Sequence, residues 1–228
     1  MLPRETIVDV LEKQLHKDIL SGRHASGGLL PPEREMAQHY GVTRTTLKHA
    51  FGRLLQAGLL ETRHGVGTRV RDYARLGGAD LLPILVKHDP RWLVEIFEVR
   101  RSVGALIASR AAEKATSVQR AELIELLAAV SASESPEEVQ LAEMDVHRAL
   151  GRASSNRVYA LLTNTLLSAY TPVRDRLAGP FTDARAAYDR LAPVIAAVTA
   201  GDSATAHTAA TEYLMATERV MLEGLGIV

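Results

Sequence analysis

The sequence predicts a mainly α protein in two parts. Three helices and a two-stranded hairpin come first, and an all-α antiparallel helical bundle follows. Three observations predict this. Residues 33–57 read as helix, tight turn, helix. Two β-biased segments then flank a histidine–glycine turn. Past residue 81 only helical periodicity remains, broken by short polar stretches.

The elements follow in order. Ile7, Val8, Leu11, Leu15 and Ile19 recur about every four residues, so 5–21 is an amphipathic helix. "SGRHASGG" breaks it. In "LPPEREMAQHYG" Pro32 can take the first helical position, Glu33 and Glu35 load the first turn, and Gly41 ends the helix. Thr43 caps the next helix, which runs to about Ala57 before Gly58. Segments 59–63 and 68–72 around His64, Gly65 and Gly67 form a small hairpin. Together these make a winged helix-turn-helix over residues 1–72. Residues 73–81, "YARLGGADL", read as a linker, and 82–228 as a helical domain. There Trp92, Ile96, Val99, Val103 and Leu106 mark one helix. Similar patterns cover 117–131, 136–152, 156–177, 183–200 and 203–224, giving six helices with short connections. Pro172 must kink or end the 156–177 helix.

Composition narrows the function. The 228 residues contain no cysteine, so neither a disulfide framework nor a thiolate metal site is available. No apolar run is long enough to cross a bilayer, and nothing resembles a signal peptide, so the expectation is a cytoplasmic protein without membrane attachment. Net charge is zero, with 27 residues of each sign. Residues 1–72 hold 11 basic against 8 acidic residues, leaving 16 against 19 for the remainder. A basic head on an acidic partner domain is compatible with nucleic-acid binding. No G-x-S-x-G, P-loop or dinucleotide fingerprint occurs, and "HGVGTR" sits in a hairpin, so an enzyme is not expected.

The polar first turn of the third helix, "GVTRTTLKHA", fits a recognition helix. Such helices read base edges in the major groove with their N-terminal residues. Arg44, Thr45 and Lys48 fall opposite the apolar stripe of Leu47, Phe51 and Leu54. Arginine offers a bidentate fork to guanine. Thr43 and Thr46 are short enough to bond phosphate, and a His64–Gly65 wing tip is small enough for a minor groove.

The stretch "LPPEREMAQHYGVTRTTLKHAFGRLLQAGLLETRHGVGTRV" resembles the GntR family of bacterial transcription regulators, in its FadR branch. The similarity extends through "EVRRSVGALIASRAA", "HRALGRASSNRVYALL" and "AYTPVRDR" in the helical part, and so covers nearly the whole chain. It implies a C-terminal bundle of the FadR type and DNA contacts from Arg34, Thr43, Arg44, Thr45, Thr46, Lys48, His64 and Gly65. Lys48 stands where the family usually has arginine, which keeps the charge and loses the fork.

Relatives with this kind of helical domain often hold a divalent metal through an aspartate, a histidine four residues on and two later histidines. Glu143 and His147 occupy the first pair here; Leu191 and Tyr213 occupy the later two. Two candidate ligands are too few for a closed site, so no metal is expected, and the alternative is a histidine hydrogen-bonded to Glu143. The FadR branch senses long-chain acyl-CoA without metal. By that resemblance Arg100 is an effector contact. Tyr213, Thr217 and Met221 stand at i, i+4 and i+8 on the last helix and are expected to line one wall of the pocket, and Tyr170 and Arg174 flank the Pro172 break, which can open a cavity. Leu214 and Met221 replace a glycine and a tryptophan of FadR.

The expectation is a homodimeric regulator that binds a pseudo-palindromic double-stranded DNA operator, uses no cofactor, and is released by long-chain acyl-CoA or fatty acid. The alternatives are a relative of the metal-dependent type that answers to a metal or a small carboxylate, and a constitutive DNA binder whose bundle only dimerises.

Overall fold

The structure is a computed structural model that describes residues 5–227. It forms two compact units, divided between His88 and Asp89. Three-quarters of it is helical, and its sheet is a single two-stranded hairpin.

In the first unit α1 spans Ile7–Leu20, α2 Glu33–His39 and α3 Arg44–Gln56. Thr6 starts α1 with a capping box to Asp9. Pro32 stands one position before the helical start assigned to it from sequence: its backbone is extended, and its carbonyl accepts the first helical N–H bonds as the N-cap of α2. Gly41 turns the chain with φ +65°, a conformation that needs no Cβ, and α3 begins three residues later. Leu15, Leu47, Ala50 and Leu54 are fully buried where α1 crosses α3. Strands β1 (Leu60–Arg63) and β2 (Gly67–Val70) pair antiparallel with Leu60 opposite Val70. The segment expected only as a breaker contributes more than a turn. The Leu30 N–H donates to the Thr68 carbonyl and the Val70 N–H to Gly28, so this segment adds a short third edge to the wing.

Residues 73–81 carry a one-turn helix α4 (Tyr73–Leu76) and a 3-10 turn (Ala79–Leu81). Helix α5 (Leu82–His88) falls within the first compact unit and touches α1.

Asp18 of α1 is 1 % exposed and serves as the polar anchor of this unit. It accepts from the Tyr40 hydroxyl at 2.7 Å and from Gln14 Nε2 at 3.0 Å, with Arg23 at 3.3 Å. Those bonds tie α1 to the end of α2. His16, two residues earlier, is also buried and its ring lies 4.7 Å from that of His88.

The second unit is an all-helical bundle: α6 (Trp92–Lys114), α7 (Ser117–Ala132), α8 (Pro136–Ala153), α9 (Arg157–Ala169), α10 (Ala184–Ala200) and α11 (Ser203–Gly224). Side-chain caps open α7 through α11, from Thr116, Ser135, Asn156, Asp183 and Asp202. The pattern expected to run over 156–177 breaks at Tyr170. Pro172 has no N–H to continue the ladder, and 3-10 turns over Thr171–Leu177 and Gly179–Phe181 replace it. Helix α6 packs most extensively on α11. A Cβ on Gly104 would come within 2.6 Å of Leu214 Cδ1, so the glycine is what admits this leucine. Leu214, which departs from the FadR pattern, is thus matched by a small residue on the facing helix. No helix among the described residues is long and apolar enough to cross a membrane.

Two tests follow for the first unit. Tyr40→Phe removes a donor from a buried carboxylate and is expected to cost about 1–3 kcal/mol in urea denaturation; an unchanged midpoint would show that Asp18 is satisfied without it. Burial holds the His16 imidazole down to about 4 from its ordinary 6.5, and neighbouring His88 adds to this. As pH falls from 6.5 towards 4, the unfolded chain takes up a proton that the folded chain refuses, so stability drops in that window. His16→Leu should lose less stability between pH 7 and pH 5 than the parent chain does.

Candidate nucleic-acid interface and ligand cavity

The first turn of α3 is built by its cap. The Thr46 N–H donates to Thr43 Oγ1 at 3.1 Å, and the two hydroxyls lie 2.9 Å apart. The cap uses Thr43 as an acceptor, so its hydroxyl hydrogen is free to turn to Thr46 or to a phosphate. Leu47, Phe51 and Leu54 are buried, which leaves Arg44, Thr45 and Lys48 exposed on the opposite face. Arg34 on α2 is exposed too, Thr46 is half-buried, and His64 and Gly65 stand exposed at the wing tip. Gly65 has φ +75°, the left-handed turn that a β-branched residue resists. All eight residues expected to meet DNA therefore keep accessible surface in the head.

Sequence reasoning missed Glu33. Its carboxylate lies 3.8 Å from both Arg44 and Lys48. At that range and exposure the pairing is weak, and it poises the two cations side by side. The signal was present: an acid at the first position of α2, one tight turn from the cations of α3.

In the second unit a cavity lies between α6, α8, α9, α10 and α11. Leu150, Leu166, Leu167, Leu191 and Leu214 supply much of its wall, and Arg100, His147 and Tyr213 its polar end. Its volume is ≈ 40 Å³, room for only a few waters at about 10–15 Å³ each.

The polar end is a connected cluster. The Tyr213 hydroxyl donates to Glu143 Oε2. His147 Nε2 lies 3.3 Å from the same hydroxyl and 3.5 Å from Arg100 Nη2. Arg100 Nη1 donates to Thr217 Oγ1 at 3.4 Å. The single hydroxyl hydrogen of Tyr213 goes to Glu143, so the imidazole N–H is the donor to Tyr213. Nε2 then has no lone pair left for Arg100. The expected histidine–Glu143 bond is absent among the described residues; Tyr213 bridges the two.

Arg100 is 6 % exposed and has no carboxylate in ion-pair contact among the described residues. Burial raises the Glu143 carboxyl to about 7, opposed by the Tyr213 hydrogen bond and by the charges of Arg100 and Arg190. Burial and then the Arg100 charge lower His147 to about 3, so its imidazole is neutral at pH 7. Glu143 Oε1 is buried without a partner.

The other effector residues expected from sequence are placed as follows. Thr217 is fully buried behind Arg100. Met221 is buried one turn further along α11, outside the cavity wall. Tyr170 is buried edge-on to Phe97, with ring centres 6.2 Å apart, and is likewise outside the wall. Arg174 pairs with Glu137 and does not reach the cavity. The wall uses α9 through Thr163, Leu166 and Leu167, not the Pro172 break. Sequence reasoning missed these residues and Leu150; their apolar character alone does not separate a cavity wall from a core.

The donor set does not fit a metal ion. Glu143 and His147 are joined by a tyrosine, the remaining position is a leucine, and a guanidinium faces His147. No group of three His, Cys, Asp or Glu able to hold a metal occurs among the described residues.

Comparison with known proteins agrees with both halves. Residues 7–70 match the family model "Bacterial regulatory proteins, gntR family", and residues 95–216 match the FCD domain. The HTH-type transcriptional regulator Rv0494 of Mycobacterium tuberculosis is 33% identical over 96% of this chain and 91% of its own. The fatty acid metabolism regulator protein of Pasteurella multocida is 30% identical over 76% of this chain and 72% of its own. Among solved structures, Streptococcus agalactiae GntR has the same fold, with a TM-score of 0.52 at 23% identity, covering 93% of this chain and all of that one. With both parts of the chain matched and a relative 33% identical over 96% of it, this protein belongs to the GntR family of bacterial regulatory proteins, in the branch that carries an FCD domain.

Proposed function

We propose that this transcription regulator controls fatty acid metabolism and leaves its operator when a long-chain acyl-CoA or fatty acid binds its helical domain. One observation carries the reading: Arg100 is a buried, always-charged group at the polar end of a leucine-lined cavity, with no anion in contact among the described residues. An acidic ligand with an aliphatic body supplies both missing partners. Relatives named as fatty acid metabolism regulators support the same class.

At ≈ 40 Å³ the cavity is too small for an acyl chain as it stands. The chain enters only if α9, α10 and α11 part around it. Binding and repacking are therefore the same event, which is what a release mechanism needs, because a ligand shifts only an equilibrium whose two states it binds unequally. The heads read half-sites of a pseudo-palindrome as a homodimer, and residues 73–81 carry the shift to them. Tyr170, Met221 and Arg174 act at a second remove in this scheme, since none lines the cavity.

The cavity's size also favours a second reading, a small carboxylate held on Arg100 without metal. Retardation of DNA from the protein's own promoter separates the two. Release by acyl-CoA or free fatty acid, unaffected by chelator, supports the first; release by short carboxylates alone supports the second; a response to added metal overturns both.

Arg44→Ala is expected to weaken operator binding by about 1–3 kcal/mol and to relax base preference. Unchanged affinity and selectivity in an operator titration would remove α3 from the groove. Arg100→Ala should keep operator binding and lose about 1.5–3 kcal/mol of effector affinity, the worth of a bond to a charged group. Release at the same effector concentration as the parent chain would remove Arg100 from the site.

A further inference from the structure

Helix α3 carries more on its outer face than its first turn. Leu47, Ala50, Phe51 and Leu54 are buried, and the line that points directly away from them runs through Thr45, His49, Gly52 and Gln56. The steps are four, three and four residues, so these residues share one ridge, and all are exposed. Arg44 and Lys48 flank the ridge on one side, beside Glu33. On the other side Arg53 is held by Asp9 at 2.7 Å and by Glu12 at 2.8 Å, so it belongs to the contact between α1 and α3.

The make-up of this ridge has no use within the chain. A solvent-facing helix position is best filled by alanine, lysine, glutamate or glutamine; threonine, histidine and above all glycine cost helix stability there. Gly52 nevertheless sits in the interior of a 13-residue helix. A Cβ built on it meets nothing within 4 Å, and its φ is not left-handed, so neither packing nor backbone conformation calls for a glycine. His49, one turn earlier, makes no side-chain hydrogen bond, ion pair or ring contact among the described residues. The ridge thus holds an uncommitted donor and, at the next outward position, no side chain at all. Both features matter only to a molecule that lies against α3 from outside.

We infer that α3 reads DNA beyond its first turn: His49 donates to the N7 of a purine in the major groove, and Gly52 lets the helix come close against the duplex at the turn after it. An imidazole carries an N–H donor whether or not it is protonated, and N7 is an acceptor that both purines present and neither pyrimidine does. Along the axis His49 lies about 6 Å and Gly52 about 10 Å past Thr45, at ~1.5 Å per residue. A base step is about 3.4 Å, so the ridge spans roughly three of them. Glycine is the residue that admits close approach of a backbone to a ligand. The inference rests on the reading above that α3 enters the groove. It adds a purine requirement and a depth of docking that Arg44 and the Thr43–Thr46 pair do not supply.

Gly52→Ala and Gly52→Leu test this because they push folding and binding in opposite directions. Both replacements are better helix formers than glycine and enter open space, so both variants should unfold at higher urea than the parent chain. In retardation of DNA from the protein's own promoter by the full chain, Gly52→Leu should bind about tenfold more weakly or worse, the scale of overpacking a close contact, with Gly52→Ala in between. His49→Ala should lose about threefold to tenfold of preference at a single purine position, one hydrogen bond's worth, when fragments retained from a randomised operator pool are sequenced. Parent affinity in Gly52→Leu, or unchanged preferences at every position in His49→Ala, overturns the inference. If Arg44→Ala still weakens binding in that case, α3 remains the recognition helix. If Arg44→Ala also binds and selects as the parent chain does, both readings fall.

Discussion

Arg100 is a permanent charge taken out of water without a counter-charge in contact among the described residues, and much of the helical domain is arranged around that cost. Its guanidinium has Thr217 at 3.4 Å, a histidine nitrogen at the limit of bonding distance, and the face of Phe97 5.9 Å away. Glu143, a buried acid of the same cluster, is bonded to Tyr213. Arginine cannot shed its proton to escape burial, as a lysine can. Its neighbours feel both burial and this charge. Burial, and after it the charge of Arg100, pushes His147 towards the neutral form, while the Tyr213 hydrogen bond and the charge of Arg100 limit how far burial raises Glu143.

The polar end of the cavity is assembled from side chains of three helices. Leu191 and Tyr213 both face the cavity. Tyr213 keeps a polar role by bridging Glu143 and His147. Leu191 gives that wall over to apolar contact.

In the head, the work is divided between a rigid base and an exposed edge. The buried Asp18 network and the α1–α3 core hold the helices. The groups expected to touch DNA make few commitments within the protein. Arg44 and Lys48 share one weakly held carboxylate, and the hydroxyls of Thr43 and Thr46 satisfy each other. Such groups exchange their partners for phosphate or base edges at small cost. That suits a DNA-binding surface.

Local chemistry was enough to determine the head from sequence alone. Apolar spacing, the Thr43 cap, Gly41 and the His64–Gly65 turn act over a few residues, so element order, helix ends and the exposed face of α3 are all legible in the chain itself. The helix count of the bundle and the break at Pro172 follow from equally short-range rules. What the tertiary structure decided involves partners distant in sequence. Tyr213 meets Glu143 across 70 residues and Arg100 meets Thr217 across 117. Gly104 makes room for Leu214, and α9 rather than the Pro172 segment walls the cavity. Arg174 turned to Glu137 for the same reason. A helical pattern states which side of each helix is buried, but the neighbour it is buried against depends on how all the helices pack at once.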